Sequence, residues 1–340
     1  MAATQLLIYV ALLLFFHLST SSPTRGSRGA LSITSYAALG DSYAAGPGAG
    51  SPRYVTEQAF VCGRFSNSYP RQVANDSRLS IKHSSFKHVA CAGATITSVL
   101  HHQVPYIGHS DLVSVTVGGN EVDFLRVLNE CIYQWHPVST CDAALVESRK
   151  LLESPVLRNN FDALIAGAVR RLKADALLLV TGYAGFFNDQ TDICDHVTFS
   201  RTRPLDYLTK AKRKAFNQLV DMLNDVIRAI ADTHGAVYVD VDSVFEGHRF
   251  CEEGVHEPDL QREDTWFFNL PAPEMEVAAD NREQVVQLLD ITKEDHKGVI
   301  DDTGFPSMTT LRVLHPTSMG HHGISKQIVR VLEALGRLPD

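Results

Sequence analysis

The stretch "YAALGDSYAAGPGAG", Tyr36 to Gly50, sets four apolar residues directly before a glycine, an acid and a hydroxyl, and then a string of small residues. Apolar residues at consecutive positions, broken by glycine, read as a short strand buried on both faces, as in a parallel sheet. In an open parallel sheet the loops that leave the carboxyl ends of the strands gather over one crevice. Ser42 therefore stands where such folds place their chemistry.

Working outward, strand-length apolar runs recur at Phe86 to Ala90, Leu112 to Val117, Ala176 to Thr181 and Ala236 to Val241. Helical periodicity lies between and after them, in Asp162 to Asp175, Thr209 to Gly235 and Gly323 to Gly336. In the second of these, Phe216, Leu219, Val220, Leu223, Val226, Ile227 and Ile230 recur three and four apart, and Gly235 follows as a stop signal. The alternation predicts an α/β fold with a doubly wound parallel sheet of about five strands. Periodicity fades in 131–155, 188–204 and 245–306, which are expected to be long loops on that sheet. The last of these holds too few apolar runs for a core of its own. "KAKRK", Lys210 to Lys214, reads as the solvated start of a helix.

The loops after successive strands carry complementary groups. After the first come Asp41 and Ser42, after the second Cys91-Ala92-Gly93-Ala94, and after the third Gly118-Gly119-Asn120-Glu121. "LHPTSMGHH" precedes the final helix and sets His315 in a loop held by Pro316. Acyl transfer needs a hydroxyl beside a base and donors aimed at a tetrahedral oxyanion. Ser42 fits the nucleophile and His315 the base. The backbone N–H groups of Ser42 and Gly93 and the Asn120 amide fit the oxyanion donors. Each group also has an ordinary reading: Ser42 as a helix N-cap, Gly93 and Asn120 as turn residues, His315 as a loop histidine. Their recurrence after successive strands favours the joint one. Asp41 is expected to order its loop by accepting backbone N–H groups, since neighbours on a tight turn point apart.

These four blocks, "GDSY", the glycine of "ACAGAT", "GGN" and "HPTSMGH", resemble in content and order the SGNH, or GDSL, hydrolase superfamily. "FEGHRFC", Phe245 to Cys251, and the cysteine count resemble its secreted esterase branch with three disulfides. The resemblance implies a flavodoxin-like three-layer α/β/α fold and hydrolysis of carboxylic esters, with Ser42, Gly93, Asn120 and His315 in the roles above and no cofactor. Many members carry an acid three residues before the histidine; Arg312 stands there in this chain. The resemblance then implies a backbone carbonyl, that of Arg312, as the partner of His315 Nδ1, with Asp301 or Asp302 as the alternative acid. Glu121, where members often have Asp, is expected to lie outside the oxyanion hole. Ester substrates of small-molecule, lipid or polysaccharide type all remain open, a carbohydrate O-acetyl esterase and a non-catalytic secreted binding protein being the competing readings.

The chain has 340 residues, 44% hydrophobic, and a formal charge of -8. That composition supports a large core and leaves no basic excess for a phosphate backbone, so nucleic acid is excluded as a partner. Leu6 to Phe16 is an apolar run shorter than the roughly 18 residues of a membrane span, followed by small and polar residues. It predicts a cleaved leader over 1–22, a polar spacer over 23–34, a single domain over 35–340, secretion, and no integral membrane association. In an oxidising compartment the six cysteines suggest three disulfides, with pairing in sequence order, Cys62–Cys91, Cys131–Cys141 and Cys194–Cys251, favoured over buried free thiols. Asn75-Asp76-Ser77 is the one glycosylation sequon. His315, His321 and His322 lack metal-ligand spacing and a nearby acid, so no metal is expected. His248 reads as a packed histidine.

Overall fold

The computed structural model describes residues 33–51, 62–134, 137–200, 202–258, 263–269 and 312–338. The expected leader over 1–22, all but the last two residues of the expected spacer over 23–34, and Asp301 and Asp302 lie outside the described residues. Five strands, β1 (Tyr36–Gly40), β2 (Phe86–His88), β3 (Leu112–Thr116), β4 (Leu177–Thr181) and β5 (Val237–Val239), form one parallel sheet in the order β2-β1-β3-β4-β5. The inner strands are apolar at nearly every position because helices cover both faces. The chain runs from β1 to one side and returns to the other at β3. This reversal opens a crevice at the carboxyl ends of β1 and β3.

The helices are α1 (Ser42–Ala45), α2 (Tyr69–Ala74), α3 (Ile96–His102), α4 (Phe124–Leu128), α5 (Cys141–Glu153), α6 (Pro155–Val169), α7 (Lys210–Thr233) and α8 (Ser318–Ala334). α2 and α8 pack together on one face, and α3, α6 and α7 on the other, with α5 beside α7. The apolar stripe of α7 is buried from Phe216 to Ile230. Gly235 follows that helix at φ 67°, and the Ala236 N–H closes back on the Ala231 carbonyl.

Three expectations are corrected. The segment 131–155 is not all loop, because α5 occupies its second half. The buried stripe of α5 is Ala144, Ser148 and Leu152, and the serine at its centre masks the apolar period. Ser148 is tolerated there because its hydroxyl donates to the Val122 carbonyl at 2.6 Å. The helix expected from Asp162 to Asp175 begins earlier, at Pro155, and ends at Val169; Ser154 caps the Val156 N–H, and proline suits the first helical turn. "KAKRK" is not wholly solvated either. Arg213 is 0% exposed and donates to the carbonyls of Leu208, Asn188 and Thr191 and to Asp195, pinning the loop before α7.

The three disulfides pair in sequence order, Cys62–Cys91, Cys131–Cys141 and Cys194–Cys251. The last joins the loop before α7 to the segment after β5, and the first anchors the loop after β2.

Candidate active site

The turn after β1 is forced to be sharp. A Cβ on Gly40, at φ 139°, would lie 2.2 Å from the Thr116 carbonyl oxygen, so only glycine lets β1 end so close to β3. The Gln103 side chain clamps Gly40 from both sides, accepting from its N–H at 2.7 Å and donating to its carbonyl at 2.9 Å. The Asp41 N–H donates to Thr116 O at 2.9 Å, and Asp41 Oδ1 accepts the Tyr43 N–H at 2.9 Å, capping α1. Asp41 thus orders the loop, as expected from its position. Its carboxyl is 2% exposed, and burial raises its pKa to about 7. Ser42 begins α1, and its N–H has no acceptor among the described residues.

His315 reaches the same point from the far end of the chain, its Nε2 lying 2.7 Å from Ser42 Oγ. A short segment of the 245–306 region holds it there: Phe268 N–H donates to His315 O, Leu314 N–H to Phe268 O and Thr317 N–H to Trp266 O, at 3.0, 2.9 and 2.8 Å. The Arg312 guanidinium lies 5.0 Å over the Phe268 ring. Leu314 adopts φ 58°, a costly conformation for a branched side chain. Its carbonyl accepts the Tyr43 hydroxyl at 2.9 Å, so the residue after the serine grips the residue before the histidine. Gln103 is marked by no sequence pattern, and Tyr43, though part of the "GDSY" block, gives no sign there of its contact with Leu314, because both residues act through contacts distant in the chain.

The imidazole meets two backbone carbonyls, those of Val313 and of Arg312. Nδ1 lies 3.3 Å from the Val313 carbonyl, and the Arg312 carbonyl, which accepts the backbone N–H of His315 at 2.9 Å, acts on the ring as well. Both carbonyls favour the imidazolium, but burial outweighs them and lowers the pKa to about 4. The Val313 carbonyl is the partner that the spacing of Arg312 did not reveal. A carbonyl acceptor puts the proton on Nδ1, leaving Nε2 to accept from the Ser42 hydroxyl. A hydroxyl bonded to a neutral imidazole is the pairing from which a nucleophilic oxygen is generated.

Gly93 and Asn120 lie on the loops that follow β2 and β3. Gly93 has φ 76°, is exposed, and its N–H has no acceptor among the described residues. The Cys62–Cys91 disulfide and an Ala92 N–H to Cys62 O bond of 3.0 Å tie this loop down. Asn120 Nδ2 donates to Ala94 O at 2.9 Å, which leaves its second amide hydrogen uncommitted. Glu121 ties the same two loops together. Its Oε1 accepts the Ile96 N–H, so consecutive residues of the β3 loop grip the β2 loop. Burial raises the Glu121 pKa.

A model of the GDSL-like lipase/acylhydrolase family matches residues 38–322, a span that holds all four of these groups. The chain belongs to that family. This GDSL hydrolase is 31% identical over 250 residues to a lipase of Streptomyces rimosus, covering 73% of this chain and 83% of the relative. It is 30% identical over 217 residues to lipase 1 of Streptomyces coelicolor, covering 64% of this chain and 72% of the relative. Among solved structures, phospholipase A1 from Streptomyces albidoflavus NA297 aligns with a TM-score of 0.61 at 25% identity, over 89% of this chain and 99% of the other. The extracellular lipase from Streptomyces rimosus gives the same values. The GDSL hydrolase is thus a carboxylic ester hydrolase with the SGNH fold.

The remaining histidines of the hydrolase have other partners. His321 Nδ1 accepts the Tyr69 N–H at 3.1 Å, and His322 Nδ1 lies 2.9 Å from Gln72 Oε1. His248 stacks on Trp266, ring centroids 3.7 Å apart. Asn75 is exposed just past the end of α2. No helix among the described residues is long and apolar enough to cross a membrane.

Proposed function

We propose that the chain is a secreted hydrolase of lipid acyl esters that works through a Ser42–His315 acyl-enzyme. The observation that carries this reading is the 2.7 Å contact between Ser42 Oγ and His315 Nε2, made by residues 273 positions apart. Ser42 Oγ attacks the ester carbonyl carbon while its proton passes to Nε2. The carbonyl oxygen becomes an oxyanion held by the N–H groups of Ser42 and Gly93 and by the Asn120 amide. Collapse breaks the bond to the leaving oxygen, which takes the proton from His315. Water, deprotonated by the same nitrogen, then attacks the acyl-enzyme, and a second collapse releases the acid and restores Ser42.

Supporting a lipid rather than a sugar ester are the relatives, which are named lipases, and the structural neighbour named phospholipase A1. Secretion is supported by the apolar leader-like run Leu6 to Phe16, by three disulfides and by the exposed sequon at Asn75.

Purified protein assayed on p-nitrophenyl esters of increasing chain length, on phospholipid and on acetylated xylan tests the proposal. Activity on the longer acyl esters and phospholipid is expected, with Ser42→Ala at least about a thousandfold less active and still folded. Normal turnover by Ser42→Ala would remove the mechanism. Acetate release from xylan alone would move the substrate to sugars. Failure of Ser42 to react with a fluorophosphonate would leave a binding protein.

A further inference from the structure

The loop after β4 contributes no group to the proposed chemistry, yet it sends one side chain between the two loops that do. We propose that Tyr183 is a positioning residue for ester hydrolysis, its hydroxyl locking the nucleophile loop to the oxyanion loop. This rests on the Ser42–His315 reading above and deepens it.

The hydroxyl donates to Asp41 Oδ2 at 2.5 Å and accepts the Gly119 N–H at 3.2 Å. Asp41 immediately precedes the proposed nucleophile, and Gly119 immediately precedes Asn120. One oxygen atom therefore holds the residue before the serine and the residue before the amide donor. Its one hydrogen goes to the carboxyl and a lone pair takes the amide hydrogen, so the group acts as a two-ended pin.

The pin is itself fixed. The Tyr183 N–H donates to Asn224 Oδ1, and Asn224 Nδ2 donates to Tyr183 O, both at 2.8 Å, which fastens the residue to α7. Gly182 permits the approach, since a Cβ there would lie 2.7 Å from Asn224 Oδ1. The ring is 2% exposed and meets the Tyr43 ring edge-on at 4.8 Å. Burial and the nearby Asp41 keep the phenol far above its ordinary pKa, so it remains a neutral donor. A phenylalanine would fill the same space and keep the ring contact. What tyrosine adds is the oxygen, and the two partners of that oxygen are the neighbours of Ser42 and Asn120.

Oxyanion donors stabilise a transition state only where they are already aimed, and a displacement of about 1 Å can cost on the order of a hundredfold in rate. Loss of the pin should thus lower kcat and leave KM nearly unchanged. The test is Tyr183→Phe in the full chain, assayed on p-nitrophenyl butyrate, with active sites counted by fluorophosphonate titration.

We expect kcat per titrated site to fall about tenfold or more with KM within about twofold. The Ki of a phenylboronic acid, whose tetrahedral adduct mimics the intermediate, should rise by the same factor as kcat/KM falls. A purely structural role would reduce the number of titrated sites and leave kcat per site and Ki unchanged, which would overturn the proposal. If Tyr183→Phe does not fold, Asp41→Asn retains an acceptor for the Tyr43 N–H and replaces the other end of the pin; the same split is expected of it, and full kcat would overturn the proposal. Ser42→Ala run alongside separates the two claims. An active Ser42→Ala enzyme sinks the mechanism, whereas an inactive one beside a fully active Tyr183→Phe sinks the pin alone.

Discussion

At the residue scale, His315 is tuned to be neutral. Burial disfavours the imidazolium, and the carbonyls of Val313 and Arg312 oppose this incompletely, giving a pKa of about 4. A base with that pKa is unprotonated well below neutral pH. The acid limb of kcat/KM in the free enzyme is therefore expected near pH 4, with activity largely kept at pH 5.5. A limb at the ordinary histidine value of about 6.5 would contradict this account. The serine, glycine, asparagine and histidine were legible because each follows a strand or precedes a helix within a short motif. The Val313 carbonyl beside Nδ1 was not, because Leu314, between it and the histidine, is held at φ 58° with partners, Tyr43 and Phe268, from elsewhere in the chain.

At the element scale, the loops are held by covalent and polar ties of unequal consequence. Cys62–Cys91 anchors the loop that carries Gly93, whereas Cys131–Cys141 spans ten residues between α4 and α5. Replacing the first pair by serines is expected to cost about 2–4 kcal/mol of stability and also to lower kcat per titrated site. Replacing the second should cost stability with kcat per site unchanged. Denaturant titration together with active-site counting distinguishes them, and equal effects on kcat would contradict the assignment. Gly40→Ala belongs to the same scale. Its Cβ would meet backbone rather than a flexible side chain, so little folded protein is expected from it, as measured by circular dichroism of the purified fraction. The brace formed by Trp266 to Phe268 was hidden in a region whose sequence has no period, because three residues pairing with a distant loop leave no local pattern.

At the scale of the whole molecule, buried histidines set the acid limit. His88 is 8% exposed and His321 0%, and burial lowers both to about 3. Between that value and the unfolded value of about 6.5 the unfolded chain binds more protons, so stability rises with pH in this window and is lost as pH falls through it. Each fully buried histidine can contribute up to roughly 1.4 kcal/mol per pH unit there. Asp41 acts in the opposite sense, because its pKa is raised to about 7 and the native state holds its proton where the unfolded state has lost it. His315, lowered to about 4, adds to the two histidines, and Glu121, raised by burial, adds to Asp41; three histidines against two carboxyls leave a net loss toward acid. The urea midpoint is expected to be lower at pH 5 than at pH 7, and His88→Asn should flatten that dependence. A midpoint independent of pH over this range would contradict it.

The amino-acid order alone determined the strands, their parallel arrangement and the four loops that meet over the crevice, because burial on both faces and glycine-bearing strand ends are local properties. Tertiary structure alone decided that the Val313 carbonyl also faces His315, which glycine must remain glycine, and that Arg213, Glu121 and Tyr183 join loops remote in the chain. Those facts depend on which atoms come within hydrogen-bonding range once the sheet has closed, and distance through space is not written in the spacing of residues along the chain.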